Sequence, residues 1–353
     1  MKITEQLLTQ WGACSDGKRT FTQKFPEGAE YKEVIAACDE DGHRDYRTWI
    51  FNHAFQHLVA SEIVEAETDL VPKEIEKGLE PLQLLDSTET KNTDTISKEA
   101  SSRLAASGDD SRLAASGDDS QLAASGFNSR LAASGFNSRL AASGRYSQLA
   151  ASGRYSQLAA SGRYSRLAAS GDDSQLAASG DDSQLAASGF NSRLAASGRY
   201  SQLAASGFNS QLAASGRYSQ LAASGRYSQL AASGRYSRLA ASGDDSQLAA
   251  SGDDSQLAAS GFNSRLAASG RYSQLAASGF NSQLAASGEN SVIASSGLDS
   301  TFQIGKGGCA AIAYQDEQEK IRFAVAYEGE NVKANTWYKV NAKGEFVEVE
   351  TQS

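Results

Sequence analysis

Residues 190–216 read FNSRLAASGRYSQLAASGFNSQLAASG. Three nine-residue units follow one another, and seven of the nine positions hardly change. The two residues after each Gly alternate among Phe-Asn, Arg-Tyr and, elsewhere, Asp-Asp. Outward from this stretch, the Gly recurs every nine residues from Gly108 to Gly297, giving 22 repeats of consensus L-A-A-S-G-x-x-S-[QR]. A fixed short period is the signature of a solenoid.

Nine extended residues reach only roughly 30 Å. A ring that small, with its turns, has almost no interior. Two repeats per coil solve this, each giving one short strand, S-[QR]-L-A-A, and one turn, S-G-x-x. Strand side chains alternate, so Ser, Leu and the second Ala share a face. Leu is the only large apolar residue of the repeat, so that face points inward. The [QR] residue, the first Ala and the turn Ser then point outward. The expected fold is mainly β: a solenoid with 18 residues per coil and about 11 coils, a rod of roughly 50 Å at a strand spacing of about 4.8 Å. A helical reading fails, because Gly and several Ser residues every nine positions leave too few helix-forming residues in a row. A longer period agrees with the coil length. From Gly171 the variable pairs run DD, DD, FN, RY, FN, RY, RY, RY and begin again at Gly243, which is 72 residues or four whole coils.

The flanks differ in composition. Residues 1–66 read as a small helical domain, with ITEQLLTQW, YKEVIAACDE and RDYRTWIFNHAFQHLVASEIVEAE as helix candidates and SDGK and FPEG as breaks. Residues 67–100 are charged and rich in Thr, Ser and Glu. They read as a linker with one short amphipathic piece, EPLQLLD. The solenoid is expected over 101–300. Residues 301–353 hold four strand-like runs, CAAIAY, IRFAVAY, TWYKV and EFVEVE, expected to form a small antiparallel meander.

These stretches carry a resemblance. The nonapeptide LAASGxxSQ, the closing SVIASSG and the C-terminal NTWYKVNAKGEFVEVE resemble tandem-repeat proteins of bacteria and their prophages. The stretch GACSDGKRTFTQKFPEGAEYKEV…RDYRTWI is similar to a small domain that precedes repeats in such proteins. The resemblance implies the solenoid and a bacterial or phage origin, and implies no activity. A more distant likeness is to ice-nucleation repeats, from which this chain departs in its period of nine and in having no T-x-T pair within the repeats.

Charge narrows the function classes. The net charge is −9, and residues 1–100 carry 11 basic against 20 acidic side chains. The repeat region is nearly balanced, with 16 Arg against 14 acids. That is not the basic footprint of a general nucleic-acid binder. Three cysteines, Cys14, Cys38 and Cys309, make no disulfide framework and suit a reducing compartment. The N-terminal stretch lacks the apolar core of a signal peptide, and no apolar run is long enough to cross a membrane. The expectation is a cytoplasmic protein.

Motifs for chemistry are weak. His53 and His57 stand at i, i+4, a spacing that can bind zinc with Cys14 and Cys38, but both fall at the margin of an apolar helix face. Calcium-binding β-rolls also use nonapeptides, yet only six of the 22 turns here carry Asp-Asp. The stretch IGKGGC at 304–309 lacks the remainder of a phosphate loop. No catalytic set, metal site or cofactor is therefore expected.

The variable pairs remain. On the edge traced from Gly108 in steps of 18, six turns carry Arg-Tyr; on the edge from Gly117, Phe-Asn is commoner. Arg199, Tyr200, Arg217, Tyr218, Arg235 and Tyr236 form an uninterrupted stack on the first edge and are the expected binding residues. Stacked Arg side chains repel, and the Asp pairs at either end would relieve them. The expected function is a non-enzymatic interaction or scaffold protein whose partner is a macromolecule, a protein rather than a nucleic acid, with self-association as one form and no membrane contact. The alternative is an ice- or surface-binding solenoid.

Overall fold

The computed structural model describes residues 2–41, 46, 49–50 and 94–349. In the N-terminal part, α1 (Glu5–Gln10), α2 (Ser15–Lys24) and α3 (Tyr31–Glu40) pack beside a two-stranded antiparallel ladder of Lys2–Ile3 with Ala29–Glu30. Ile3, Leu8, Phe21, Tyr31, Val34 and Ile35 form its buried core. The helix starts are read from their caps. The Thr4 hydroxyl accepts from Leu7 N–H, and the Glu33 carboxylate accepts from Glu30 N–H. SDGK, expected as a break, is instead the first turn of α2. Cys14 Sγ accepts from Gly17 N–H at 3.3 Å and Asp16 sits in the favourable first turn, so the polar run begins the helix. FPEG does end it, with Gly28 at φ +76°. Most of the third helix candidate, the EPLQLLD piece, His53 and His57 lie outside the described residues.

From residue 94 the chain is a β-solenoid of about 12 turns. Successive strands alternate between two sheets, and each pairs in parallel with the strand 18 residues away. Leu140, Leu158 and Leu176 stand opposite one another, as do Gln202 and Gln220. Among the described residues each sheet has 14 strands. One, here the first sheet, starts at Asp94–Ser97, inside the stretch read as linker. Thr95 sits opposite Leu113 and Ser97 opposite Ala115, so the ladder accepts a strand that matches the repeat at no position in register.

Leu and the second Ala of the repeats face inward and, Leu104 of the first repeat apart, are almost wholly buried. The Ser that opens each strand is buried too. Its Oγ donates to the carbonyl of the turn Gly three residues earlier, for example Ser219 to Gly216 at 2.7 Å. That bond satisfies a buried hydroxyl, which would otherwise be costly. The invariant Gly has another cause. A Cβ on Gly216 would collide with the Gly198 carbonyl one coil below, and the same holds along the rod. Stacked turns approach too closely for any side chain there.

The Gln/Arg residue and the first Ala point away from the core, as expected. Pointing outward does not ensure exposure. On the first sheet these rows are open to solvent, but on the second Gln211 and Gln229 are buried, at 7 % and 5 % exposure, as are Ala123, Ala141, Ala231 and Ala249. Both sheets carry the same nonapeptide, so this asymmetry does not originate in the repeat.

The four C-terminal runs do not make one meander. Thr301–Ile304 and Cys309–Gln315 continue the two parallel sheets. Ile321–Tyr327 then closes the first sheet antiparallel to Cys309–Gln315, and Tyr338–Val340 with Phe346–Glu348 closes the second. Phe302 takes the Leu position of the last regular coil and packs against the rings of Tyr338 and Phe346 at 6.0 and 5.7 Å. Asn331 bonds the outer backbone groups of Val325 and Tyr327, blunting part of the final edge. The IGKGGC stretch is the turn between two such strands and precedes no helix.

Candidate binding edges

Each turn presents two tip residues. The N–H of the second donates to the carbonyl of the first in the next coil, as Tyr218 does to Arg235 at 3.0 Å. The turns therefore stack in register like the strands. In every repeat the second tip residue is left-handed, with φ from 52° to 61°. Asp and Asn tolerate this region; a bulky Tyr does so at a cost of about 1 kcal/mol. Eight turns nevertheless place Tyr there.

On the first edge the six expected residues do come together. The rings of Tyr200, Tyr218 and Tyr236 stack face to face at 5.0 Å, with interplanar angles of 4° and 7°. All three are 41–50 % exposed. Arg199, Arg217 and Arg235 rise beside them. Arg199 pairs with Asp181 below at 3.4 Å, and Arg235 with Asp253 above at 3.8 Å. Arg217, in the middle, is left without a carboxylate partner among the described residues. Arg235 also lies over the Tyr236 ring at 5.5 Å. A shorter stack, Tyr146 on Tyr164 at 4.9 Å, precedes this one.

The second edge uses different contacts. Phe190 stacks on Phe208 at 5.4 Å, while Asn209 donates to Asn191 and Asn191 to Asp173. Arg154 and Arg226 pair with Asp172 and Asp244 at 3.5 and 3.7 Å.

The Asp-Asp turns have a role that pair composition does not disclose. The first Asp of each accepts a hydrogen bond from the backbone N–H of the tip residue one coil later: Asp109 from Phe127, Asp181 from Arg199, Asp253 from Arg271. Those backbone bonds, followed by the Arg side chains on either side, hold the carboxyls of Asp181 and Asp253 below the ordinary range. The sequence signal was available, since each of these Asp residues has Phe or Arg 18 positions downstream, but it is visible only once the coil length is known.

Along the first edge, the tips and the adjoining Gln/Arg row of the first sheet enclose a shallow groove. Tyr146, Tyr164 and Tyr200 line its wall, and Gln148, Gln184 and Arg166 its floor. Among the described residues no cluster of three or more His, Cys, Asp or Glu stands close enough to hold a metal ion, and no helix is long and apolar enough to cross a membrane. Cys14 is exposed and Cys38 buried.

Comparison with known proteins bears on the N-terminal part. Residues 1–59 match the family described as the YdhT N-terminal domain. A stretch of 46 residues is 52 % identical to the Escherichia coli (strain K12) protein described as "Uncharacterized protein YdhT", covering 13 % of this chain and 17 % of that protein. The chain thus aligns with less than a fifth of the length of that relative. No solved structure matches the chain.

Proposed function

We propose that the protein is a non-enzymatic interaction scaffold. Its rod holds a row of charged and aromatic turn tips against a macromolecular partner, with the first edge, Arg199 to Tyr236, as the contact surface. One observation carries this reading. The turn needs a left-handed residue at its second tip, for which Asn and Asp are the cheap choices, and the first edge instead carries Tyr, stacked and half exposed. The buried core of the rod does not require that choice. A protein is the better match to exposed Arg-Tyr pairs in a chain of net charge −9, and a second copy of this chain qualifies. The sparse cysteines favour the cytoplasm. The nonapeptide array, with its resemblance to prophage repeat proteins, favours a phage-derived gene.

The ice-binding alternative would use the open face of the first sheet. Arg112, Arg130, Arg166 and Arg238 project from that face and interrupt it, which favours the edge over the face.

The test replaces Arg199, Arg217 and Arg235 by Ser and Tyr200, Tyr218 and Tyr236 by Asn, which already occupies the left-handed site at Asn191 and Asn209. The β signal in circular dichroism is expected to persist. Self-association in sedimentation, or capture of partner protein from host extract, is expected to fall at least about tenfold, the loss of several stacked or charge-assisted contacts. Unchanged association and capture would show the edge to be a spacer surface.

A further inference from the structure

On the first edge the tyrosine ladder is broken twice by an Asp-Asp turn, between Tyr164 and Tyr200 and again between Tyr236 and Tyr272. We infer that the first of these gaps, at Asp182, is a binding site for a guanidinium group, the side chain of a partner's arginine. This rests on the reading of the first edge as an interaction surface and names what that surface receives.

The spacing comes first. Adjacent rungs of the ladder lie 4.9 to 5.0 Å apart. Tyr164 and Tyr200 are two coils apart, so their rings face one another across about 10 Å. A flat group placed midway stands one ordinary rung from each ring and completes the ladder. The gap opens on the groove floored by Gln184.

The charge comes second. The four second-tip aspartates that lie beneath an Asn rung, Asp110, Asp119, Asp173 and Asp245, each accept that Asn's amide from the next coil. Above Asp182 stands Tyr200, which offers no such donor. Among the described residues the Asp182 carboxylate has neither a hydrogen bond nor an ion pair. The arginines on either side are committed elsewhere, Arg163 and Arg199 both to Asp181 at 3.6 and 3.4 Å.

The second gap identifies the ligand chemistry. There the chain supplies its own guanidinium. Arg235 lies over the Tyr236 ring at 5.5 Å and reaches Asp254 at 4.0 Å. The first gap has the same walls and the same carboxylate, but there the equivalent arginine, Arg163, reaches Asp181 alone, and among the described residues no cation lies over the Tyr164 ring or meets Asp182. Guanidinium is favoured over ammonium because it is planar, stacks between rings and meets a carboxylate through two N–H groups. Arg166 on the groove floor works against a cation that relies on net charge alone, which penalises lysine further.

The experiment is a nuclear magnetic resonance titration of the full chain, labelled on its tyrosine rings, with N-acetyl-arginine amide and with the lysine analogue. Tyr164 and Tyr200 resonances are expected to shift saturably with the arginine compound and roughly tenfold more weakly with lysine. Asp182→Asn keeps a residue suited to the left-handed turn and is expected to weaken arginine binding about tenfold, whereas Asp254→Asn changes it less than about twofold. Equal response to lysine, no response to arginine, or no effect of Asp182→Asn overturns the site. If the six-residue edge variant loses association while Asp182→Asn leaves the titration intact, the gap falls and the edge stands. If Asp182→Asn abolishes the titration while the edge variant associates normally, arginine binds but the edge reading falls, and with it the assignment of that arginine to a partner.

Discussion

Leu203→Asp is expected to cost about 5 kcal/mol, combining the lost burial of a core leucine with the penalty of a carboxyl placed where nothing can bond it. Leu203 is 2 % exposed and stands between Leu185 and Leu221 in the ladder. Its neighbour in the same strand, Gln202, is exposed, and Gln202→Asp is expected to cost under about 0.5 kcal/mol. Solenoid stability is carried by nearest-neighbour contacts. The Leu203 variant is therefore expected to split the rod into two parts that unfold at different urea concentrations, read by circular dichroism. Equal losses at the two positions would reverse the faces of the strand.

The second large effect concerns a turn. Gly216→Ala is expected to destabilise by about 3 kcal/mol, although alanine suits the backbone there, because its Cβ would meet the carbonyl of Gly198. Neither atom can yield without pulling the stacked turns apart, and with them the bond from Tyr200 N–H to the Arg217 carbonyl. An unchanged urea midpoint would mean that the turns do not approach so closely.

These two substitutions show what was legible in the sequence and what was not. The period of nine, with a single Leu per repeat, suffices to place strands, faces and the 18-residue coil. The need for Gly also shows in the letters, but its cause does not, since a contact between residues 18 apart exists only in the stacked rod. The same reason hid the N–H caps of Asp181 and Asp253. The start of the solenoid escaped because Asp94–Ser97 matches the repeat at no position in register; it joins the ladder by register and by its own alternation. The C-terminal runs were legible as strands, but alternation within a strand says nothing about which of two sheets it joins. At α2, the polar SDGK run looked like a break because polar residues with Gly serve loops and first helical turns alike.

On the edges, the grouping of Arg199 to Tyr236 followed from counting in eighteens. The relief of the arginine stack by Asp181 and Asp253 followed from charge. The unpartnered state of Asp182 did not, because it depends on which side chain stands one coil above.

Every statement about the edges depends on the coil being two repeats long, and cross-linking tests this most directly. In a background with Cys14, Cys38 and Cys309 replaced, Gln202→Cys is combined either with Gln220→Cys, 18 residues on, or with Gln211→Cys, nine residues on. The first pair stands in register on adjacent strands of one sheet, about 4.8 Å apart and within reach of a disulfide. The second pair points away from opposite sheets, which lie about 10 Å apart. Mild oxidation is expected to join 202 to 220 within one chain and to leave 202 and 211 unjoined. A disulfide between 202 and 211, with none between 202 and 220, would contradict the coil and the two edges built on it.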